Sequence, residues 1–339
     1  MSNSMLTRRT LVKGMALGSA GAVLAPSVIA RAQTTLRINA GMQPIVNGAA
    51  YIAVREKYFE KLGLDVNLVK FTSGPAQFAA LAGGQVDLGW GGMGAFLLAR
   101  ANGQDLRHIG VLMDYNKLEM LVVPKGSPIK SVKDLKGKKV GGVQGSDTHY
   151  GLWKLLQREG MSKDAAQFVG MAPPQQVAAF NAGDLDATFI WAPFVAPLIN
   201  AGAQVIARNS DLDPGPAFLG WAGRGPWLEK NSDAVVRLLQ GWNLGLEKMK
   251  QDPEMAVRYT LDFTGMAREQ ADAIVKDLEY FDATAALDPK SIAYWAKGSK
   301  LHTTLGDFLK FGHELGLAKS LVDIDDYVMT DFMQRARKG

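Results

Sequence analysis

The chain has 339 residues, of which 47% are hydrophobic and 21% charged, and it contains no cysteine. The missing cysteine excludes disulfide bonds, thiolate metal sites, a cysteine nucleophile and a lipid-bearing cysteine. A chain of this length can bury a large core and usually divides into two domains. Beyond the amino-terminal segment no run reaches the roughly eighteen apolar residues of a membrane span, so no membrane insertion is expected.

The first 32 residues have the pattern of a twin-arginine signal peptide. Arg8 and Arg9 precede a weakly apolar run over 14–29, and a small-x-small cleavage site follows at 30–32. The pattern predicts export to the periplasm by the twin-arginine pathway and a mature chain that starts near Gln33. Cleavage would change the balance of 38 basic against 33 acidic residues to 34 against 33, since the segment holds four basic residues and no acid. This balance gives no support for nucleic-acid binding.

Alternating strands and helices follow from residue 36. The spacing of apolar residues predicts five elements in the order β-α-β-α-β. They are a strand over 36–40, a helix over 47–61, a strand over 64–69, a helix over 73–81 and a strand over 86–90. This order is typical of a mostly parallel sheet.

The same order returns about a hundred residues later. It comprises a strand over 139–143, a helix over 150–159, a strand over 167–170, a helix over 175–181 and a strand over 187–191. A Gly-x-x-Asp turn precedes the third strand of each unit, ending at Asp87 and at Asp186. We interpret both turns as structural, with a glycine that ends a helix and an acid that solvates the turn. The repeat predicts two similar α/β lobes.

Ligands of open parallel sheets bind beyond the carboxyl ends of the strands. The segments expected there are 41–44, 72–75, 91–94, 144–150, 173–174 and 191–193. Most lead into a helix and are rich in glycine, proline or small hydroxyl residues, so they offer backbone N–H groups that attract anions. The aromatic residues Trp90, Tyr150, Trp191 and Phe194 lie at the same places. Each could form the wall of a ligand site or belong to the core.

The sequence becomes largely helical after the Gly/Pro/Asp-rich stretch 211–216. Helices are predicted from 231 or 232 to 250, from 253 onward, over 266–281 and over 301–315. This part is expected to return to the first lobe. Lobe 1 would then comprise residues 33–123 and 220–339, and lobe 2 residues 124–219. Two chain crossings, near 122–125 and 219–222, would form a hinge.

Catalytic and metal-binding patterns are weak. A Gly-x-Gly-x-x-Gly pattern at 89–94 follows the third strand of a unit, whereas the dinucleotide fingerprint follows the first. Ser146, Asp147 and His149 lie too close together on one loop to form a catalytic triad readily. The four histidines lack a metal-binding spacing. We therefore predict neither a catalytic residue nor a metal or other cofactor.

Three segments resemble the nitrate/sulfonate/taurine solute-binding proteins of ABC importers, and the taurine-binding members in particular. They are 147–152 (Asp-Thr-His-Tyr-Gly-Leu), 173–180 (Pro-Pro-Gln-Gln-Val-Ala-Ala-Phe) and 183–193, with Gly-Asp-Leu-Asp-Ala followed by Ile-Trp-Ala-Pro. The resemblance covers nearly all of the mature chain. It implies a type II periplasmic-binding-protein fold, no catalysis, and delivery of a small organic anion to a permease and its ATPase. The protein is expected to act as a monomer.

The resemblance also implies which residues lie near the sulfonate-type anion. They are Gln43, Ser73, Gly74, Gly92, Met93, Glu119, Thr148, His149, Tyr150, Trp191 and Trp221. One position departs from the pattern, since taurine-binding members carry an aspartate where this chain has Leu219. Because Leu219 cannot pair with an ammonium group, we expect a ligand without a primary ammonium. Glu119 is the residue that could serve such a group instead.

Other ligands and roles stay open at this point. A sulfate ester or an aromatic carboxylate such as phthalate would suit the same loops. Pyrimidine-forming enzymes related to this family would need an iron site with histidine and cysteine, which the absence of cysteine disfavours. A sensory module that presents its closed form to a receptor is a further alternative.

Overall fold

The computed structural model describes residues 35–338, except residues 44, 46, 72 and 73. The signal peptide predicted for 1–32 and the predicted site residue Ser73 lie outside the described residues. The strands are β1 (Leu36–Met42), β2 (Leu64–Lys70), β3 (Leu88–Gly92), β4 (Leu106–His108), β5 (Met113–Asp114), β6 (Glu119–Val123), β7 (Lys139–Gly142), β8 (Gln167–Gly170), β9 (Ala187–Trp191), β10 (Gln204–Arg208), β11 (Phe218–Arg224) and β12 (Glu279–Tyr280).

The helices lie between these strands and fill most of the carboxyl-terminal third. They are α1 (Gly48–Arg55), α2 (Tyr58–Lys61), α3 (Gly74–Ala82), α4 (Met93–Ala101), α5 (Asp147–Arg158), α6 (Pro173–Ala182), α7 (Ala196–Asn200), α8 (Gly225–Lys230), α9 (Ser232–Gln251), α10 (Pro253–Thr264), α11 (Arg268–Asp277), α12 (Lys300–Glu314) and α13 (Thr330–Arg337). No helix in the described part is long and apolar enough to span a membrane.

The strands form two sheets whose central strands are arranged in the same way, as the repeat predicts. The first sheet has the order β12-β5-β11-β3-β1-β2, with β4 paired to β11, and the second has the order β10-β6-β9-β7-β8. β1 pairs in parallel with β2 and β3, and β7 pairs in parallel with β8 and β9. An antiparallel strand adjoins the third parallel strand in each sheet, β11 beside β3 and β6 beside β9. The predicted α/β architecture is confirmed.

The two Gly-x-x-Asp turns have the same geometry. Asp87 Oδ2 accepts a hydrogen bond of 2.8 Å from the backbone N–H of Asn39 in β1. Asp186 Oδ2 accepts one of 2.8 Å from the N–H of Lys139 in β7. The glycine that ends the preceding helix turn has φ = +73° at Gly84, a left-handed conformation that favours glycine. The acid therefore joins the first and third strands of each lobe.

The chain crosses between the sheets earlier than predicted. β5 belongs to the first sheet and β6 to the second, so the first crossing is at 115–118; the second, at 209–217, joins β10 to β11. The predicted hinge segments 122–125 and 219–222 were wrong, since they overlap β6 and β11. Buried strands and buried crossings are both apolar, so local composition does not separate them.

Two boundaries change accordingly. Residues 119–123, assigned above to lobe 1, lie in the second sheet, and residues 218–219, assigned to lobe 2, lie in the first. We refer to residues 35–118 and 212–338 as lobe 1 and to residues 119–211 as lobe 2.

The two crossings lie side by side. The N–H of Tyr115 donates to the carbonyl oxygen of Ala217 at 2.8 Å. The N–H of Ala217 in turn donates to Asn116 Oδ1 at 2.8 Å. Gly215 packs so closely on the Asn116 side chain that an added Cβ would overlap it. Two short, hydrogen-bonded connections are the arrangement that a hinge between lobes requires.

We expect Asp186→Ala to lower the free energy of unfolding by about 1 kcal/mol, because it removes a solvent-exposed hydrogen bond from the N–H of Lys139. Urea denaturation followed by circular dichroism measures this loss. Asp184→Ala is the matched control, since it removes the same charge from the same turn and Asp184 accepts no side-chain hydrogen bond from the described residues. Equal losses in the two variants would contradict the structural role of Asp186.

Candidate functional site

A cavity of about 550 Å³ lies between the lobes, at the carboxyl ends of the parallel strands. Its lining from lobe 1 consists of Gln43, Ile45, Phe78, Trp90, Gly91, Gly92, Ala95, Leu98, Ala99, Asn102, Tyr115, Leu219 and Leu317. Its lining from lobe 2 consists of Glu119, Val143, Gln144, Gly145, Ser146, Asp147, Ala172, Pro173 and Trp191. The cavity therefore lies where the rule for open parallel sheets predicts a ligand.

Three helices begin at this cavity. The residues before α4 and α5, Gly92 and Ser146, line it, and neither helix has a side-chain hydrogen bond from its N-cap residue. The positive ends of their dipoles therefore lie at the cavity, which favours an anion. α6 begins there with Pro173 and Pro174, which have no N–H to donate.

Four of the predicted site residues line the cavity: Gln43, Gly92, Glu119 and Trp191. Strand register explains two of them, because β6 runs antiparallel to β9 and places Glu119 opposite Trp191. Leu219 lies opposite Gly92 in the other sheet for the same reason. Trp191 is half-buried, with its ring centre 6.4 Å from that of Phe194. The indole is therefore accessible to a molecule in the cavity.

Gly74 begins α3. Other residues of the predicted site lie behind the cavity wall, and Met93 among them is fully buried. Trp221 is fully buried as well, with its ring centre 5.0 Å from that of Trp90. Thr148 is also fully buried, and its hydroxyl pairs with that of Ser146 at 2.9 Å. The ligand contacts assigned to these residues from the resemblance are not brought to the cavity surface.

His149 and Tyr150 pack between the lobes instead. The imidazole of His149 stacks on Phe168 with ring centres 3.7 Å apart. The ring of Tyr150 stacks on Phe308 of α12 at 4.8 Å, and Phe311 meets both His149 and Tyr150 edge-on. Burial lowers the pKa of His149 to about 4, so the imidazole is neutral at pH 7. These rings connect α5 of lobe 2 to α12 of lobe 1.

The cavity contains two carboxyl groups and, among the described lining residues, no lysine, arginine or histidine. Glu119 and Asp147 are both almost fully buried. Burial raises the pKa of Asp147 to about 8. Burial and the neighbouring Asp147 carboxyl group raise the pKa of Glu119 well above its usual value, while a hydrogen bond from Asn209 lowers it. The site is therefore richer in hydrogen-bond acceptors than the sequence analysis predicted.

Asp147 and Asn209 are two polar residues whose roles at the site the sequence analysis did not predict. An acid in the first turn of a helix usually stabilises the helix dipole, so Asp147 gave no sign of a role in the site, although its segment 144–150 was expected there. Asn209 follows β10 directly and is fully buried. Its Nδ2 donates to Glu119 Oε2 and, at 3.3 Å, to the carbonyl oxygen of Asp147. No local sequence pattern indicates this contact, because 90 residues separate Asn209 from Glu119.

Comparison with known proteins accounts for the two-lobed architecture. The sequence pattern of the NMT1/THI5-like family matches residues 46–256. The chain belongs to this family. Among its relatives, an Escherichia coli (strain K12) protein named for binding aliphatic sulfonates is 36% identical over 175 residues, 51% of this chain and 54% of the relative. The match thus spans about half the length of that relative. The taurine-binding periplasmic protein of the same organism is 30% identical over 227 residues, 65% of this chain and 69% of the relative.

Solved structures establish the fold of this NMT1/THI5-like chain. The periplasmic aliphatic sulphonate binding protein SsuA of Escherichia coli superimposes with a TM-score of 0.72 at 24% identity, covering 88% of this chain and 99% of that one. The predicted periplasmic-binding-protein fold is confirmed. Enzymes share it, since the desulfurization enzyme DSZB gives a TM-score of 0.63 at 16% identity over 89% of this chain and 99% of that one. A pyrimidine phosphate synthase of Schizosaccharomyces pombe is 34% identical over 94 residues, 27% of each chain.

We expect Tyr150→Phe to leave ligand affinity unchanged within about twofold, because the Tyr150 hydroxyl makes no hydrogen bond to another described residue and does not line the cavity. Phe311→Ala, by contrast, should lower the free energy of unfolding by about 3–5 kcal/mol, the usual loss for a buried phenylalanine. Isothermal titration calorimetry measures the affinity of Tyr150→Phe, and urea denaturation measures the stability of Phe311→Ala. A tenfold loss of affinity in Tyr150→Phe would show that the hydroxyl contacts the ligand.

Proposed function

We propose that the protein is the periplasmic solute-binding component of an ABC importer. It captures a small organic anion of the sulfonate or taurine type and delivers it to a permease and its ATPase. The observation that carries this proposal is the cavity of about 550 Å³, which both lobes line at their strand ends and into which α4 and α5 direct their amino termini. The names of the relatives support the ligand class.

The proposed mechanism is closure of two lobes around the ligand. Gln43 and Gly92 reach the cavity from lobe 1, and Glu119 and Trp191 reach it from lobe 2. A ligand between them makes its full set of contacts only when the lobes are together, so it binds the closed form better than an open one. A ligand shifts the population of two forms only as far as its affinities for them differ. We therefore infer that residues contacted from both sides dominate affinity.

We infer that this chain binds its ligand without catalysis and acts as a monomer. The relatives named for sulfonate and taurine binding match longer stretches of the chain than the pyrimidine phosphate synthase does. The absence of cysteine from the whole sequence also removes a nucleophile and a thiolate ligand from the possible chemistry. Size-exclusion chromatography with light scattering tests the monomer.

A thermal-shift screen of the purified protein tests the function. Taurine, short alkanesulfonates, a sulfate ester and phthalate cover the ligand classes under consideration. A ligand at a hundred times its Kd should stabilise the protein by about 2.7 kcal/mol. A rise in melting temperature with a sulfonate supports the proposal. A rise with phthalate alone would show that the ligand is an aromatic carboxylate and not a sulfonate. The release of a chemically altered product after incubation would favour an enzyme.

We expect Trp191→Ala to weaken ligand binding at least tenfold while lowering the free energy of unfolding by less than about 3 kcal/mol, because the half-buried indole forms part of the cavity wall. Trp221→Ala is the matched control. Its fully buried side chain should lose about 3–5 kcal/mol of stability. Calorimetry and urea denaturation of the two variants measure affinity and stability. Unchanged affinity in a severely destabilised Trp191→Ala would assign Trp191 to the core.

Export by the twin-arginine pathway is part of the proposal. We expect the double substitution Arg8→Lys, Arg9→Lys to leave the protein uncleaved in the cytoplasm, since that pathway reads the arginine pair. Cell fractionation with immunoblotting measures the distribution, and amino-terminal sequencing of the exported wild-type form should place the cleavage after Ala32. Normal export of the double variant would indicate a different pathway.

A further inference from the structure

Asp147 occupies an unusual position between the lobes. It is the first residue of α5 in lobe 2, and its Oδ2 lies beside Gly92, the residue that precedes α4 in lobe 1. A Cβ added at Gly92 would overlap this oxygen, so the close approach requires glycine at that position. The carboxyl group therefore reaches across the cavity to the amino terminus of the helix on the opposite lobe.

The Asp147 side chain has no protein partner for its buried oxygen. Only 7% of the residue is exposed, and Oδ1 accepts no hydrogen bond from any described residue. A buried carboxyl group without a donor costs free energy, because the protein does not replace the hydrogen bonds that water would supply. Asp147 lines the cavity, so the missing donor can be supplied by a bound molecule.

Glu119 and Asp147 line the same cavity, and the Asp147 charge acts on the Glu119 carboxyl group. The same amide nitrogen of Asn209 donates to Glu119 Oε2 and, at 3.3 Å, to the backbone carbonyl oxygen of Asp147. Two like charges in a buried site repel each other strongly. When both carboxyl groups are ionised, an anion without an amine would add a third negative charge, whereas a positively charged group would be attracted by both carboxylates.

We propose that Asp147 determines ligand specificity: together with Glu119 it binds a protonated amine or comparable N–H donor of the ligand and discriminates against anions that lack one. This rests on the proposed function, because it places the ligand in the same cavity. Leu219 also lines that cavity and offers no polar group. The expectation drawn from Leu219 alone, a ligand without an ammonium group, is replaced by this proposal.

The pH dependence of binding follows from the titration of the pair. Burial raises the pKa of Asp147 to about 8. An ammonium group favours the ionised carboxylates, so its affinity should fall as the pH decreases from 8.5 to 6. An alkanesulfonate without the amine favours the protonated carboxyls, so its affinity should rise over the same interval.

Other titratable groups face the pair. Asp114 lies near Glu119, and burial raises its pKa. Tyr115 near Glu119 and Tyr327 near Asp147 have pKa values raised well above 10 by burial, so both stay uncharged between pH 6 and 8.5. Asp114 acts on both ligands alike, because they have equal size. Its contribution therefore cancels in the ratio of the two affinities at each pH.

Calorimetry with taurine and 1-propanesulfonate tests the proposal, because the two molecules have the same number of heavy atoms and differ by an ammonium against a methyl group. Wild-type protein at pH 8 should bind taurine at least tenfold more tightly. Asp147→Asn should reduce this ratio at least tenfold, chiefly by weakening taurine, and Asp147→Ser is a second variant if the first does not fold. Asp184→Asn removes the same charge from an exposed turn of lobe 2 and should leave the ratio unchanged within about twofold.

The outcomes separate this proposal from the proposed function. If both sulfonates bind and the Asp147 variants leave their ratio unchanged, or if 1-propanesulfonate binds at least as tightly as taurine, the specificity role of Asp147 is wrong and the binding function stands. If folded wild-type protein binds neither sulfonate, the proposed ligand class is wrong, and the role of Asp147 toward that class is overturned with it. Opposite pH slopes for the two ligands that disappear in Asp147→Asn support the role.

Discussion

The ligand cavity depends on the register of the first and third parallel strands in each lobe, because the residues that follow those strands form much of its lining. One carboxylate in each lobe fixes that register. Asp87 accepts the N–H of Asn39 and donates its own N–H to the carbonyl oxygen of the same residue, both at 2.8 Å. Asp186 makes the same two contacts with Lys139. A slip of one residue would turn the strand-end side chains to the opposite face of the sheet.

This dependence on local register explains what the sequence could predict. Helices and strands of the two repeats follow from apolar spacing within short windows, and strand-end residues such as Gln43 and Trp191 reach the cavity because the ends of parallel strands share one edge. The two repeats also share a buried glutamine in the second helix of each unit, which the sequence analysis did not predict. Gln77 donates to the carbonyl oxygen of Trp90 at 2.9 Å, and Gln176 accepts from Thr188 at 2.7 Å, so each fastens the second helix of its unit to the third strand.

Contacts between distant segments explain what the sequence could not predict. Tyr150 follows a strand end and lies in the first turn of α5, but it stacks on Phe308, which belongs to a helix far along the chain. Trp221 and Trp191 both lie in strands near the cavity, and only the packing of Trp221 against Trp90 places it in the core. Asp147 is a third case, because an acid at the start of a helix is common and indicates no ligand site by itself. Only its contact with Gly92 of the other lobe shows that its carboxyl group lies between the lobes.

The burial of Asp147 also bears on how the lobes move. Parting the lobes would separate Asp147 from Gly92 and return the carboxyl group to water, so the cost of its missing hydrogen bond falls on the closed form alone. The aromatic contacts of Tyr150 with Phe308 and Phe311 act in the opposite direction, since they stabilise the closed arrangement whether or not a ligand is bound. The rings and the unpaired carboxyl group therefore have opposite effects on the stability of the closed form. A ligand that supplies the missing donor removes the penalty, and its differential affinity for the closed form then includes this gain.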